Sequence, residues 1–163
     1  MPRDRVHIDL DHDVHDVFAL LHDYDRRLDW DSMLSDARIV DGSPCAARGV
    51  RTLCTGTWRT FKIAVETAYV SFDPGKVAAV RLTNRPPWFD HFAASIRHRD
   101  LGGGRSRVTY TFSFRARPRW LAWLLEPVIA WQMAAEVRHR LGDLSRYLDQ
   151  RKLAAKTAPP GAD

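Results

Sequence analysis

The chain has 163 residues, is 45% hydrophobic and carries a formal net charge of +5. A chain of this size and apolar content buries roughly two-thirds of its unfolded surface and needs no disulfide or metal staple. The charge surplus is almost all arginine and is spread along the chain, and no helix-turn-helix, zinc-finger or RNP-type pattern accompanies it, so no nucleic-acid partner is expected.

Cys45 and Cys54 fit no zinc or redox spacing, and two unpatterned thiols suit a reducing cytoplasm. The opening Met1-Pro2-Arg3-Asp4-Arg5 is followed by no apolar signal region, and no window reaches the length of a membrane span. A cytoplasmic protein is the expectation.

Arg5 to Leu10 alternates, with Val6, Ile8 and Leu10 on one face, and predicts a strand. Asp11 or Asp13 then offers a carboxylate to the free N–H groups of a helix start. Val14, Val17, Phe18 and Leu21 follow at the spacing of an amphipathic helix. A second short helical or turn segment is predicted over Tyr24 to Leu34, with Trp30 inside it. Strands are predicted near Ala37–Asp41, Gly49–Thr55, Thr60–Phe72, Lys76–Thr83, Phe92–Arg99 and Arg107–Ala116. Between them lie turns rich in Pro and Gly, such as Asp73-Pro74-Gly75 and Gly102-Gly103-Gly104. Short loops between consecutive strands imply an antiparallel meander.

The last third is the most telling. A strand with Val108, Tyr110, Phe112 and Phe114 on one face runs into Arg115-Ala116-Arg117-Pro118-Arg119. A long helix then starts near Trp120 and reaches about Arg151, with Ala130, Ala134, Val137, Leu141, Leu144 and Leu148 on one stripe. Pro127 predicts a kink or a fresh start. The expected organisation is one domain over residues 1–152 and a flexible tail over 153–163. A sheet followed by one long helix must bury the helix stripe against the sheet's apolar face.

The order of these elements resembles the SRPBCC superfamily, which includes START-type lipid-transfer domains, polyketide cyclase/dehydrase-like proteins and the birch-pollen-allergen type. Val17-Phe18-Ala19-Leu20-Leu21, Asp29-Trp30, Gly49-Val50-Arg51-Thr52, and Gly104 with Arg107-Val108-Thr109-Tyr110-Thr111 carry the resemblance, which spans Val6 to Leu148. It implies an α+β helix-grip fold: a seven-stranded curved antiparallel sheet around a long C-terminal helix, with two short helices after the first strand. It also implies an apolar cavity holding a lipid, polyketide or similar hydrophobic metabolite. The superfamily has no shared catalytic signature, so it assigns no active-site residue.

Period two names the cavity-facing positions. They are Val50, Thr52 and Cys54; Phe61, Ile63 and Val65; Ala78, Val80 and Leu82; Phe92, Ala94 and Ile96; and Tyr110, Phe112 and Phe114. Trp30 and Trp131, with Ala130 and Ala134, are expected to face them. In a meander alternate loops share one end of the sheet. That groups Trp58, Trp88 with Phe89, and Trp120 with Trp123 at one rim. Such a rim plugs a small core, forms an aromatic mouth for a ligand, or touches a membrane beside Arg115, Arg117 and Arg119. Sequence alone leaves these open, with peripheral membrane contact among them, and it leaves the oligomeric state open.

Candidate chemistry is sparse. His98 continues the Phe92-Ala94-Ile96 face and could move a proton near neutral pH, although its place toward the glycine hairpin predicts a solvated strand end. Tyr110 puts a phenol in an apolar face. These two are the catalytic candidates should the domain be a polyketide cyclase or aromatase. His12, His15 and His22 lie among aspartates, but His15 and His22 fall off the apolar stripe and predict a solvated acidic face. No HExxH, CxxC, GxSxG or phosphate loop is present, so no metal and no cofactor is expected.

Overall fold

A computed structural model of the chain describes residues 3–58 and 62–157. Strand β1 (Arg3–Leu10) buries Val6 and Leu10, the alternation read from sequence. Helix α1 (Val14–Leu21) begins where Asp13 accepts a hydrogen bond from the His15 N–H at 2.8 Å, and it buries Val14, Val17, Phe18, Leu20 and Leu21. A single helical turn, α2 (Arg27–Trp30), follows.

Six strands then succeed one another: β2 (Leu34–Ile39), β3 (Arg51–Gly56), β4 (Ala64–Asp73), β5 (Val77–Leu82), β6 (Phe89–Gly102) and β7 (Arg105–Ala116). They form one antiparallel seven-stranded sheet in the order β1-β7-β6-β5-β4-β3-β2. This is the predicted meander, with β1 added beside β7. Gly103 and Gly104 close the β6–β7 hairpin with φ of 63° and 71°, values that suit a tight turn matching the sheet's twist.

The sheet curls around a long helix, α3 (Ala122–Thr157), reached through a 3-10 turn at Arg119–Leu121. Strand β7 places Val108, Tyr110, Phe112 and Phe114 against this helix, whose Ala134, Val137, Leu141, Leu144 and Leu148 are buried with them. A second apolar cluster of Phe18, Ala46, Val50, Tyr69 and Ala78 closes the end under α1. The architecture is the α+β helix-grip.

Three boundaries depart from expectation. Of the kink or fresh start predicted at Pro127, the fresh start is not made: α3 runs through Pro127 and on to Thr157, so residues 153–157 are helical. Strand β6 extends outward from its predicted core at both ends. Strand β4 is assigned only from Ala64, and the predicted inner residue Phe61 lies outside the described residues. No described helix is long and apolar enough to cross a membrane.

Candidate functional site

A cavity of about 210 Å³ lies between the sheet and α3. One water needs roughly 10–15 Å³ by this kind of measure, so the space is far larger than a packing defect. Its apolar wall comes from the sheet: Cys54 of β3, Ile63 and Val65 at β4, Val80 of β5, Phe92 and Ile96 of β6, and Tyr110 of β7. Met133 and Val137 face them from α3, and Met33 and Leu34 close the α2 side.

The remaining predicted residues are elsewhere. Thr52, Ala94, Phe112 and Phe114 point the right way but are packed shut in the core. Trp30 is also buried, with the Arg27 guanidinium 4.6 Å over its ring. Leu82 is half-buried and does not line the cavity. Trp88 is 52% exposed and joins Pro118 and Arg119 in a separate surface cleft. Trp123 and Trp131 are 75% and 68% exposed, so neither reaches the cavity. For Trp131 the reason is angular: six residues back from Val137, at about 100° per residue, puts it about 120° around the helix.

One side of the cavity is polar and hydrogen-bonded. His22 Nδ1 meets Tyr69 Oη at 2.9 Å, and Tyr69 Oη meets Tyr24 Oη at 3.3 Å. Tyr24 Oη donates to Thr52 Oγ1 at 3.2 Å, which meets Thr67 Oγ1 at 3.1 Å. Burial, then Arg27 and His98, holds the His22 pKa well below the ordinary histidine value, and burial pushes the Tyr24 and Tyr69 phenols and the Cys54 thiol up. All four groups are therefore uncharged near neutral pH. His22 corrects the sequence expectation of a solvated face: as the C-terminal cap of α1 it turns inward against Phe18 and Phe72.

The charged side is a triad. Asp31 is fully buried, and one of its oxygens accepts from Arg27 Nε at 3.0 Å and lies 2.8 Å from Arg140 Nε. Burial alone would raise the Asp31 carboxyl, but Arg140 and Arg27 outweigh it and leave it below the usual range. Burial likewise opposes the Arg140 charge, and Asp31 overcomes it.

The two catalytic candidates separate. Tyr110 lines the cavity, and burial raises its phenol. His98 does not line it and is buried, not solvated, because α1 lays Phe18 over that strand end with ring centroids 4.9 Å apart. Neither His98 ring nitrogen has a partner among the described residues.

Sequence reasoning missed His22, Tyr24, Arg27, Thr67, Tyr69, Met133, Glu136 and Arg140, all of which line the cavity. Thr67 and Tyr69 were within reach, since period two simply continues past Val65. Arg140 also follows Met133 and Val137 on one helix face, where a charge at a stripe position is itself a signal.

Residues 1–149 match the family described as polyketide cyclase / dehydrase and lipid transport. No curated protein sequence matches. Among solved structures, TTHA0849 from Thermus thermophilus is 17% identical over 96% of this chain and 100% of that one, with a TM-score of 0.76. The Zhui aromatase/cyclase from Streptomyces is 17% identical over 90% and 95%, with a TM-score of 0.71. The di-domain aromatase/cyclase BexL of the BE-7585A biosynthetic pathway is 14% identical with a TM-score of 0.70, and this chain spans only 47% of its length. At such identities the structural likeness shows the fold alone, while the family match extends over nearly the whole sequence. The chain belongs to the polyketide cyclase / dehydrase and lipid transport family.

Proposed function

We propose that the protein binds a small hydrophobic molecule, a lipid, polyketide or aromatic metabolite, in the cavity between sheet and α3. The observation that carries this is the space itself, walled by Val65, Val80, Phe92, Ile96 and Val137. Burying apolar ligand surface there yields roughly 25 cal/mol per Å². The cysteines, free as Cys45 and Cys54, fit residence in a reducing cytoplasm. Displacement of a fluorescent naphthalene sulfonate tests the reading. The wild type should bind the dye and release it to competing hydrophobic compounds, and Val65→Trp should abolish binding while the circular dichroism spectrum is kept. Dye binding that survives Val65→Trp unchanged would place the ligand elsewhere.

A cyclase or aromatase acting in the same cavity is the second reading. The hydrogen-bonded run His22–Tyr69–Tyr24 favours it, because neutral proton carriers line an apolar chamber. Tyr69→Phe should then slow turnover of a supplied poly-β-ketone while leaving its binding intact.

A third reading adds an anionic bilayer as a docking partner. Trp120, Trp123 and Trp131 are 76%, 75% and 68% exposed on the outer side of α3 and its entry, with Leu124 and Val128 between them. The three indoles alone expose on the order of 400 Å², more than isolated surface residues account for. Arg115, Arg117 and Arg119 flank them, and the nearby Asp90 is taken by Arg117 at 3.2 Å, so the charge suits anionic headgroups. Sedimentation with phosphatidylglycerol vesicles should fall sharply in the triple Trp→Ala variant.

A further inference from the structure

Two arginines, Arg27 and the half-buried Arg140, line the cavity and lean on one buried acid behind its wall. Arg27 and Arg140 share the single carboxylate of Asp31, whose other oxygen already accepts from the Met33 N–H at 3.3 Å. Arg27 is engaged through both Nε and Nη1: it also donates to the Leu21 carbonyl and stacks on Trp30. Arg140 is not. Its Nε approaches Asp31 closely, but that N–H is not directed at the carboxylate and is buried without an acceptor. Among the described residues none of the Arg140 N–H groups makes a hydrogen bond, yet the side chain lines the cavity.

Glu136 does not complete the set. It lines the cavity one turn earlier on α3 and favours the Arg140 charge from a distance, but its Oε1 accepts from Gln132 Nε2 at 3.0 Å and it forms no ion pair with Arg140 among the described residues. Tyr110 stands near Arg140, and its hydroxyl has no hydrogen bond among the described residues. A buried guanidinium N–H without an acceptor is costly even beside a carboxylate. Its planar fork of donors matches two coplanar oxygens and nothing apolar.

We propose that the ligand is a hydrophobic carboxylate, whose apolar body fills the Val65–Phe92–Ile96 side and whose carboxylate accepts from Arg140, with Tyr110 as a further donor. This assignment rests on the hydrophobic-ligand reading above. It makes Arg140 the residue that selects an acid over a neutral compound of the same shape.

Calorimetric titration of the full chain with 2-naphthoate and 2-naphthylmethanol tests it, because the two differ only in the polar group. The wild type at pH 7 should bind the acid at least about tenfold more tightly than the alcohol, as a charge-assisted hydrogen-bond pair predicts. Arg140→Gln should bring the ratio to within about twofold, and Arg140→Lys, which keeps the charge but loses the fork, should fall between. Equal affinities in the wild type, or a preference for the alcohol, would overturn the carboxylate assignment and leave the hydrophobic cavity standing. If neither compound binds, the cavity reading falls and the assignment falls with it. The wild-type ratio alone decides, so the outcome does not depend on how well the variants fold.

Discussion

Acid should unfold this protein partly through His98. The side chain sits on the inner face of β6, paired in register with Val108, under the ring of Phe18. Burial without any hydrogen-bond partner lowers its pKa from 6.5 to about 4. The unfolded chain therefore takes up a proton near pH 6.5 that the folded chain refuses until about pH 4. The contribution to stability is fully present above pH 6.5 and is lost as pH falls through that window. The gap between 6.5 and about 4 corresponds to about 3 kcal/mol at roughly 1.4 kcal/mol per pH unit. His22 adds in the same direction, since burial lowers its pKa as well. Urea unfolding at several pH values between 7 and 4 measures the effect in the wild type and in His98→Leu. Carboxylate titration is common to both proteins and cancels in the difference. The variant should lose about 3 kcal/mol less across the range, and at pH 7 it should be at least as stable, because it removes two unpaired buried nitrogens. Parallel stability curves, or a directly measured His98 pKa near 6.5, would mean that the imidazole is solvated in the folded chain.

Further tests bear on the packing and the charged triad. Asp31→Ala strands the buried Arg27 and the half-buried Arg140 and should cost about 3–5 kcal/mol of unfolding free energy by chemical denaturation, and an unchanged midpoint would contradict the shared-carboxylate description. Phe114→Ala should cost about 3–5 kcal/mol, because that ring is completely buried between sheet and helix. Trp131→Ala, on the outer side of the same helix, should shift stability by no more than about 0.5 kcal/mol, and a loss comparable to that of Phe114→Ala would mean the ring is not exposed.

Most of the fold was readable because its signals are local. The α1 stripe, the alternation of β1 and β7 and the glycine hairpin each depend on neighbouring residues and fall where predicted, and of the two cap residues offered, Asp11 and Asp13, Asp13 takes the role. The inner face of the sheet was readable too, since parity along a strand is fixed once one residue is placed. What parity cannot supply is depth. Ala94, Phe112 and Phe114 have the same parity as Phe92, Ile96 and Tyr110, yet helix packing closes the first group and leaves the second open to the cavity. The triad was illegible for a different reason: Arg27, Asp31 and Arg140 meet only because α3 returns across α2, more than a hundred residues later in the chain. The two histidines escape a local reading because their cover is remote: Phe18 of α1 lies over His98, and Tyr69 and Phe72 of β4 close over His22 at the end of α1.

Native mass spectrometry of the purified chain, followed by denaturing extraction of whatever it carries, asks whether the space between sheet and α3 takes a ligand. A single hydrophobic molecule retained, or taken up one per chain from an added panel of fatty acids and aromatic acids, and lost in Val65→Trp, is the predicted result. A chain that stays at its bare mass and takes up no member of that panel would contradict the account.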